Sequence, residues 1–333
     1  MTARVHGDAF ATGGLADFAV NVWPEPRPRR LDTALEAALR DERYPDDRAA
    51  RRAVAARHRR PVEEVLVANG ACDALWLIAT ALRPRPAACV HPSFTEPEAA
   101  LRAAGAEVTH VAREPAGWTF DPDAVPADAE VVVLGSPNNP TGDLAPPAAV
   151  RALLRPGRVV VVDESFMDFV AAETASLAAA RLPGLVVVRS LTKLWSLAGV
   201  RAGYALGPPE LIARLAAHRQ PWSVNALACA AIAACAADTE TPRAVASAAA
   251  AARARLLAGL AALPGVTAWP SAANFVLLAV EDGRAVVARL RAAGVAVRPA
   301  ASFPGLDERH VRVAVRPGGD VDLLLGALAA ALR

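Results

Sequence analysis

Lysine is almost absent from this sequence of 333 residues. Among its 36 lysine and arginine residues, Lys193 is the single lysine. Arginine can replace lysine as a solvated surface charge. It cannot supply a neutral amine, because its pKa lies far above neutrality. A single lysine among so many arginines is therefore a candidate Schiff-base nucleophile. The alternative is a surface lysine left by chance, which the neighbouring residues disfavour.

Cysteine, clustered histidine and long apolar runs are scarce as well. The four cysteines (Cys72, Cys89, Cys229 and Cys235) form no CxxC pair, which favours reduced, mostly buried thiols in a cytoplasmic protein. The six histidines show no ligand spacing, so no metal site is expected. Arg, Pro or Gly interrupts the longest apolar runs before they could span a bilayer, and residues 1–8 carry no apolar signal, so we expect no membrane partner. The net charge is +2, and arginines are interspersed with acidic residues, which argues against a nucleic-acid partner.

Length and apolar content predict two domains. A chain of 333 residues exceeds the size at which one core stops growing, and a hydrophobic content of 54% can fill sizeable cores. We expect an N-terminal arm at 1–30 that joins the small domain, a large domain at 31–225, and a linker helix with a small C-terminal domain at 226–333. The arm should be extended because it contains Pro24, Pro26 and Pro28.

Strands alternate with helices through the first two thirds of the chain, which is typical of an α/β fold with a mostly parallel sheet. Strands are predicted at 87–90, 106–111, 130–134, 159–162 and 185–188. Helices are predicted at 31–40, 48–60, 74–82 and 210–220, and a further helix follows the turn at 91–94 and ends at 104. An alanine-rich helix is predicted at about 227–263. Strands at 266–269, 275–279, 295–297 and 311–315, with helices at 283–293 and 320–332, predict a smaller α+β domain.

Polar residues follow the predicted strand at 185–188. Ser190, Thr192 and Lys193 lie just past its end, where ligands bind in open α/β sheets. The two hydroxyls and Arg201 can receive a phosphate, and a lysine beside a phosphate site indicates pyridoxal phosphate (PLP). A second possible phosphate site is the turn at Gly70, just before a helix, although many turns contain Asn-Gly.

PLP also needs a carboxylate at its ring nitrogen and a donor to its phenolate oxygen. Asp163 follows four valines and fits the carboxylate, the alternative being a helix N-cap. Asn139 fits the donor, the alternative being a surface Asn-Pro turn. Phe94 fits a stacking partner of the ring, and a core aromatic is an equal alternative.

These residues resemble the hallmarks of the fold-type I PLP enzymes, the aspartate aminotransferase superfamily. The motifs are Ser136-Pro-Asn-Asn-Pro-Thr-Gly142, Val162-Asp-Glu-Ser-Phe166, and Ser190-Leu-Thr-Lys193 with Arg201. The resemblance covers nearly the whole chain and implies a large domain with a seven-stranded-type sheet. Within this superfamily the chain looks most like histidinol-phosphate aminotransferases and threonine-phosphate decarboxylases. The decarboxylase match rests on His6-Gly7, Arg43-Tyr-Pro-Asp46, Asp163 to Phe169, Arg189 to Lys193, Gln220 to Ala228, Phe303 to Asp307 and Arg312 to Arg316.

The resemblance implies a role for each matching residue. Lys193 would bind the cofactor covalently, and Tyr44 would reach the cofactor phosphate of a neighbouring subunit, which implies a homodimer with shared active sites. The implied cofactor-binding residues are Gly70, Ala71, Cys72, Phe94, Asn139, Asp163, Phe166, Ser190, Thr192, Arg201 and Tyr44. The implied substrate contacts are His6, Asn21, Arg298 and Arg312.

Two residues depart from the related motifs. Phe166 stands where many transaminases carry a Tyr, and Asp8 replaces a Gly of the decarboxylase His-Gly-Gly motif. From the detailed match we expect decarboxylation of threonine phosphate to aminopropanol phosphate, in cobalamin biosynthesis. The alternative is transamination of a substrate like histidinol phosphate, and a further alternative is a PLP-fold regulator without catalysis.

Overall fold

The computed structural model describes residues 5–24 and 27–333. Its strands are β1 (Ala16–Asp17), β2 (Val65–Ala68), β3 (Pro86–His91), β4 (Glu107–Glu114), β5 (Thr119–Phe120), β6 (Val131–Gly135), β7 (Val159–Asp163), β8 (Leu185–Ser190), β9 (Gly203–Leu206), β10 (Thr267–Ala268), β11 (Phe275–Ala279), β12 (Val295–Ala296), β13 (Arg298–Pro299) and β14 (His310–Ala314). Its helices are α1 (Arg29–Leu39), α2 (Arg48–His58), α3 (Ala71–Leu82), α4 (Glu96–Ala103), α5 (Pro147–Ala152), α6 (Pro209–Ala217), α7 (Ala226–Ala237), α8 (Glu240–Ala261), α9 (Gly283–Ala292) and α10 (Asp320–Ala331).

A large sheet with the strand order β2-β9-β8-β7-β6-β3-β4-β5 confirms the predicted α/β class. Its central strands β8, β7, β6, β3 and β4 are parallel, whereas β9 runs antiparallel to both of its neighbours. The sheet has eight strands where seven were expected. The additional strand is β5, two residues that fold back antiparallel on β4.

Helices cover both faces of this sheet, so its central strands are buried on both sides. In β7, Val160 and Val162 pack into one apolar cluster and Val161 into the cluster on the opposite face. Side chains alternate between faces along a strand, so a run of four valines serves both cores. The central strands are thus held in register by packing on both faces. The polar residues that follow them lie together at the carboxyl edge of the sheet.

A second sheet with the order β10-β11-β14-β13 is antiparallel and belongs to the C-terminal part of the chain. The N-terminal segment is hydrogen-bonded to this part, since β1 pairs with β12 and the Ala314 amide donates to the Phe18 carbonyl over 2.8 Å. The arm is not wholly extended, because Gly7–Ala9 form a turn of 3-10 helix. Part of the predicted arm, residues 1–4, 25 and 26, lies outside the described residues. The domain limits at 30 and 225 stay a prediction.

The long alanine-rich helix predicted at about 227–263 is two helices, α7 and α8. The break falls at Asp238 and Thr239. One carboxylate oxygen of Asp238 accepts hydrogen bonds from the amides of Glu240 and Thr241, each over 3.0 Å, so it begins α8 as an N-terminal cap. Alanine content alone predicts helix on both sides of such a cap and does not reveal the break.

Helix α8 has the length and apolar composition to cross a bilayer, with a mean hydropathy of 1.3. It nevertheless packs within the fold, and Val245, Ala249 and Leu256 on one side are buried. Its Arg253 donates to the Ala273 carbonyl over 2.9 Å, and Arg255 to the Gly318 carbonyl over 3.1 Å. These contacts are those of a helix that covers the small sheet.

Candidate active site

A cavity of about 710 Å³ opens at the carboxyl ends of the parallel strands. It holds residues that follow β3, β6, β7 and β8, together with side chains from the N-terminal segment and from the small sheet. Fourteen of the residues proposed from sequence line it: His6, Asn21, Ala71, Cys72, Phe94, Asn139, Asp163, Phe166, Ser190, Thr192, Lys193, Arg201, Arg298 and Arg312. The crevice expected at the strand ends is therefore present.

Lys193 lies in this cavity among charged side chains. Burial lowers the pKa of Lys193 from 10.5 to about 8, and the charges of Arg312 and Arg201 act in the same direction. Asp163 and Asp8 oppose them. An amine with a pKa near 8 has a reactive neutral fraction at neutral pH, which is the property required of a nucleophilic lysine.

Asp163 ends β7 and is held by the next turn. Its Oδ1 accepts from the backbone amide of Ser165 over 2.9 Å and also from the Ser165 hydroxyl. Burial raises the pKa of Asp163, whereas these hydrogen bonds and the charge of Lys193 lower it. No α-helix begins at this residue, so the alternative of a helix cap does not apply. A partly buried carboxylate of this kind is suited to a cationic ring nitrogen.

An anion site forms where α3 begins beside β8 and β9. Gly70 precedes the first turn of α3 with φ of +84°, and a Cβ built on it would lie 3.0 Å from Nη2 of Arg201. Only glycine combines this backbone angle with such a close guanidinium. The Ser190 and Thr192 hydroxyls are 2.7 Å apart on the same cavity wall. Helix amides, two hydroxyls and one arginine are the usual partners of a phosphate.

Asn139 and Arg312 form a polar pair across the cavity. Nη1 of Arg312 donates to Oδ1 of Asn139 over 2.6 Å, and Nη2 donates to the Ala19 carbonyl over 2.6 Å. With its oxygen occupied by Arg312, Asn139 has its amide nitrogen available as a donor, as a phenolate partner requires. Nε of Arg312 has no hydrogen-bond partner among the described residues, and burial lowers the pKa of Arg312 to about 9.

Arg298 is held by the N-terminal segment. Its guanidinium donates to the Val5 carbonyl over 2.6 Å and to the Ser302 hydroxyl over 2.7 Å. It also lies 5.2 Å from the ring centroids of Phe10 and Phe303, as in cation–π contacts. Burial lowers the pKa of Arg298 to about 10, and Asp8 counteracts this. Residues near the chain's N-terminus therefore meet the small sheet at the cavity.

Two further proposed substrate residues are engaged differently. His6 contacts Glu96 at 3.0 Å and lies 5.8 Å from the Phe94 ring. Asn21 is buried, and its side-chain oxygen has no partner among the described residues. A buried acceptor of this kind is costly unless a ligand satisfies it.

Two proposed cofactor residues do not line the cavity. Gly70 lies just behind its wall, against Arg201. Tyr44 is 74% exposed and stacks on Trp222 with ring centroids 4.6 Å apart. The structure therefore does not bring Tyr44 to the cavity of its own chain. That position is compatible with a role at a neighbouring subunit, which stays a prediction.

Sequence reasoning gave no role to several cavity residues. Ser165 fixes Asp163 and stands within the quoted Asp-Glu-Ser-Phe motif, so the motif could have indicated it. Glu96 accepts from Trp76 Nε1 over 3.1 Å beside His6. Ser302 and Phe303 support Arg298, and no local pattern predicts such long-range contacts.

The comparison with protein families agrees with this geometry. Residues 19–330 match the family described as aminotransferase class I and II. The chain belongs to this family. Its members use PLP, so the protein is a PLP-dependent enzyme, and the predicted fold type and cofactor are confirmed.

Curated relatives and a solved structure align over almost the full chain. A histidinol-phosphate aminotransferase of Mycobacterium tuberculosis is 45% identical over 95% of this chain and 87% of the relative. A threonine-phosphate decarboxylase of Salmonella typhimurium is 33% identical over 94% and 90%. One solved structure is that of the histidinol-phosphate aminotransferase of Sinorhizobium meliloti in complex with pyridoxal-5'-phosphate. It superposes on this chain with a TM-score of 0.88 at 22% sequence identity, and the superposition covers 99% of this chain and 95% of that one.

The residues present fit PLP. The cavity contains the one lysine amine of the protein, a partly buried carboxylate at Asp163, an amide donor at Asn139 and an anion site around Gly70 and Arg201. Each corresponds to one functional group of the cofactor: aldehyde, ring nitrogen, phenolate and phosphate.

Proposed function

We propose that this protein is a PLP-dependent aminotransferase acting on histidinol phosphate or a closely similar phosphorylated amine. The observation that carries this proposal is the 45% identity, over 95% of the chain, with a relative of that name. Decarboxylation of threonine phosphate was the first expectation from the sequence motifs. It remains a second candidate, supported by the relative that is 33% identical. The comparisons favour the aminotransferase.

The side chains of the cavity divide the chemistry among them. Bound PLP supplies an electron sink for the negative charge that develops at the substrate carbon. We assign to Asp163 the task of keeping the ring nitrogen protonated, and to Asn139 that of donating to the phenolate oxygen. Gly70, Ser190, Thr192 and Arg201 then anchor the phosphate and fix the orientation of the ring.

Lys193 has two tasks in this scheme. It would hold the resting cofactor covalently, and its amine would also move the proton at the substrate carbon. A group that gives and takes a proton works best with a pKa near the operating pH. The pKa of about 8, set by burial and by the charges of Arg312 and Arg201, meets this requirement.

The substrate phosphate requires cationic partners inside the cavity. Arg298 and Arg312 both face it, and their low exposure strengthens their interaction with an anion. Nε of Arg312 still has a free donor within the described structure. Removing either positive charge leaves a bound anion unpaired at a cost of about 3–5 kcal/mol, so Arg312→Ala should lose most turnover.

Product analysis distinguishes the two candidate activities. The PLP-loaded protein is incubated separately with histidinol phosphate and with threonine phosphate, without any amino acceptor. An aminotransferase converts its bound PLP to pyridoxamine phosphate stoichiometrically and loses its yellow colour with histidinol phosphate. Release of carbon dioxide from threonine phosphate, with the cofactor remaining as PLP, would instead establish the decarboxylase.

We also propose a homodimer whose active sites borrow Tyr44 from the partner. Support comes from the exposed stack of Tyr44 on Trp222, outside the cavity of its own chain. A hybrid dimer of Tyr44→Phe and Lys193→Ala chains tests it. The site with the lysine would receive an intact Tyr44 and should bind PLP with wild-type affinity. Weak binding in that hybrid, or a monomer by sedimentation, would contradict the proposal.

A further inference from the structure

Two histidines and a glutamate meet at the end of β3, outside the cavity. His91 is the last residue of β3, and His110 belongs to the adjacent parallel strand β4. In that pairing Cys89 is opposite His110 and His91 opposite Ala112, so the two histidines lie two residues apart in register. Side chains at that offset point to the same face of a sheet. Helix α4 crosses this face and places Glu98 between the two rings.

The potential ligand atoms are close enough to share one ion. Nε2 of His91 lies 3.0 Å from Oε2 of Glu98, and Nε2 of His110 lies 2.9 Å from Oε1. One ligand atom from each residue lies within 4.8 Å of the others. Zinc–nitrogen and zinc–oxygen bonds of about 2.0–2.2 Å place neighbouring ligand atoms roughly 3 Å apart, so small side-chain movements suffice.

The buried member of the cluster has one ring nitrogen without a partner. His91 is 3% exposed; its Nε2 contacts Oε2 of Glu98 at 3.0 Å, whereas its Nδ1 has no hydrogen-bond partner among the described residues. A buried polar atom without a partner is costly. The His110 side chain is 42% exposed, so an ion can enter from solvent on that side.

Two arginines are the competing cations. Nε of Arg102 donates to Oε1 of Glu98 over 2.7 Å, and its Nη2 donates to the Val108 carbonyl over 3.1 Å. Oε2 of Glu98 contacts His91 and is not the oxygen that Arg102 binds. The other arginine, Arg113, is engaged with Asp143 and the Gly135 carbonyl. Arg102 therefore competes with a metal ion for the negative charge of Glu98, but it does not occupy the Oε2 atom through which the ion would bind.

We propose that His91, Glu98 and His110 form a binding site for one divalent transition-metal ion of the zinc type. Two imidazoles and a carboxylate are ligands that such ions prefer, and water completes the coordination from the exposed side. The site lies outside the PLP cavity but next to it in sequence, because Ser93 and Phe94 line that cavity just after His91. A bound ion would join the end of β3 to β4 and α4, and so brace the segment that carries Phe94.

Cobalt(II) is the probe, because its visible absorption reports nitrogen and oxygen coordination at low symmetry. The PLP-loaded protein, with any affinity tag removed, is titrated with Co²⁺ and then with Zn²⁺. We expect one equivalent of Co²⁺ per chain, displaced by Zn²⁺. His110→Asn and Glu98→Gln should each weaken binding by about tenfold or more, since each removes a ligand. Both variants keep the PLP cavity, so any metal held by the cofactor itself would persist in them.

Matched variants make the result specific. His218→Asn removes another exposed histidine, one whose Nδ1 is hydrogen-bonded to the Arg214 carbonyl over 2.9 Å, and should leave Co²⁺ binding unchanged. Arg102→Ala removes the competitor at Glu98 and should tighten binding several-fold. Absence of stoichiometric Co²⁺ binding, or binding that His110→Asn and Glu98→Gln leave intact, would overturn the proposal.

Discussion

At the scale of single residues, Lys193 has no substitute. Among the lysine and arginine residues all the others are arginines, and arginine does not supply the neutral amine that forms a covalent link to an aldehyde. Borohydride reduction should therefore fix PLP to the wild-type chain at one peptide containing Lys193. Lys193→Ala should retain PLP only reversibly, with no cofactor mass left after denaturation. Covalent cofactor elsewhere in the Ala variant would contradict the assignment, and circular dichroism serves as the folding control.

The single lysine also makes its own pKa measurable. Reductive methylation of the PLP-free protein with isotope-labelled formaldehyde labels Lys193 as the one side-chain amine, so its NMR signal titrates separately from the α-amino group. Burial disfavours the charged form, and the midpoint should lie near the expected value of about 8. Arg312→Ala removes the largest opposing positive charge, so the pKa of Lys193 should rise. Arg284→Ala, an exposed arginine paired with Glu308, is the control and should leave it unchanged.

Residues within local motifs were predictable, and residues joined across the chain were not. Lys193, Asp163 and Asn139 could be found because each lies at or just past a strand end in a short polar motif. The hydrogen bond between Arg312 and Asn139 joins residues 173 positions apart, and no sequence spacing predicts it. The grouping of His91, Glu98 and His110 was missed for the same reason, since three separate elements supply it.

At the scale of elements, a buried ion-pair network joins the two strands that carry the chemistry. Arg189, in β8 beside Ser190, contacts Glu164 at 3.0 Å and Glu173 at 2.8 Å and pairs with Asp168. Glu164 directly follows Asp163, so the network links the ends of β7 and β8.

The sequence indicated strands β7 and β8 from their valine runs. It did not indicate β2 and β9, which are four residues each; β9, with the sequence Gly-Tyr-Ala-Leu, contains no β-branched residue.

The break between α7 and α8 gives a prediction at this scale. Asp238 caps α8 and also pairs with Arg30. Asp238→Ala should lower the free energy of unfolding by about 1–2 kcal/mol, the usual loss for an N-cap. Asp238→Asn keeps the capping oxygen and removes the charge, so it should lose less. Urea unfolding monitored by circular dichroism measures both, and equal losses would show that the ion pair, not the cap, matters.

At the scale of the whole molecule, the cavity joins segments that are far apart in sequence. The N-terminal segment supplies Asn21, the large sheet supplies Asp163 and Lys193, and the small sheet supplies Arg298 and Arg312. Arg316 strengthens this junction by donating to the carbonyls of Asp17 over 2.8 Å and Val20 over 2.7 Å. The lining of the cavity therefore comes from the N-terminal, large-sheet and small-sheet parts that the sequence analysis treated as separate.

Removal of the cofactor should consequently lower the stability of the whole chain. A ligand that binds only the folded state stabilises it by about 2.7 kcal/mol at a hundred times its dissociation constant, so the PLP-loaded protein should melt at a higher temperature than the PLP-free form. Inorganic phosphate, at millimolar concentration, should recover part of this shift through the anion site of Gly70, Ser190, Thr192 and Arg201. Arg201→Ala should abolish the phosphate effect, whereas Lys193→Ala should retain it because the lysine serves the aldehyde. Equal phosphate stabilisation in the wild type and Arg201→Ala, measured by calorimetry, would place the phosphate elsewhere.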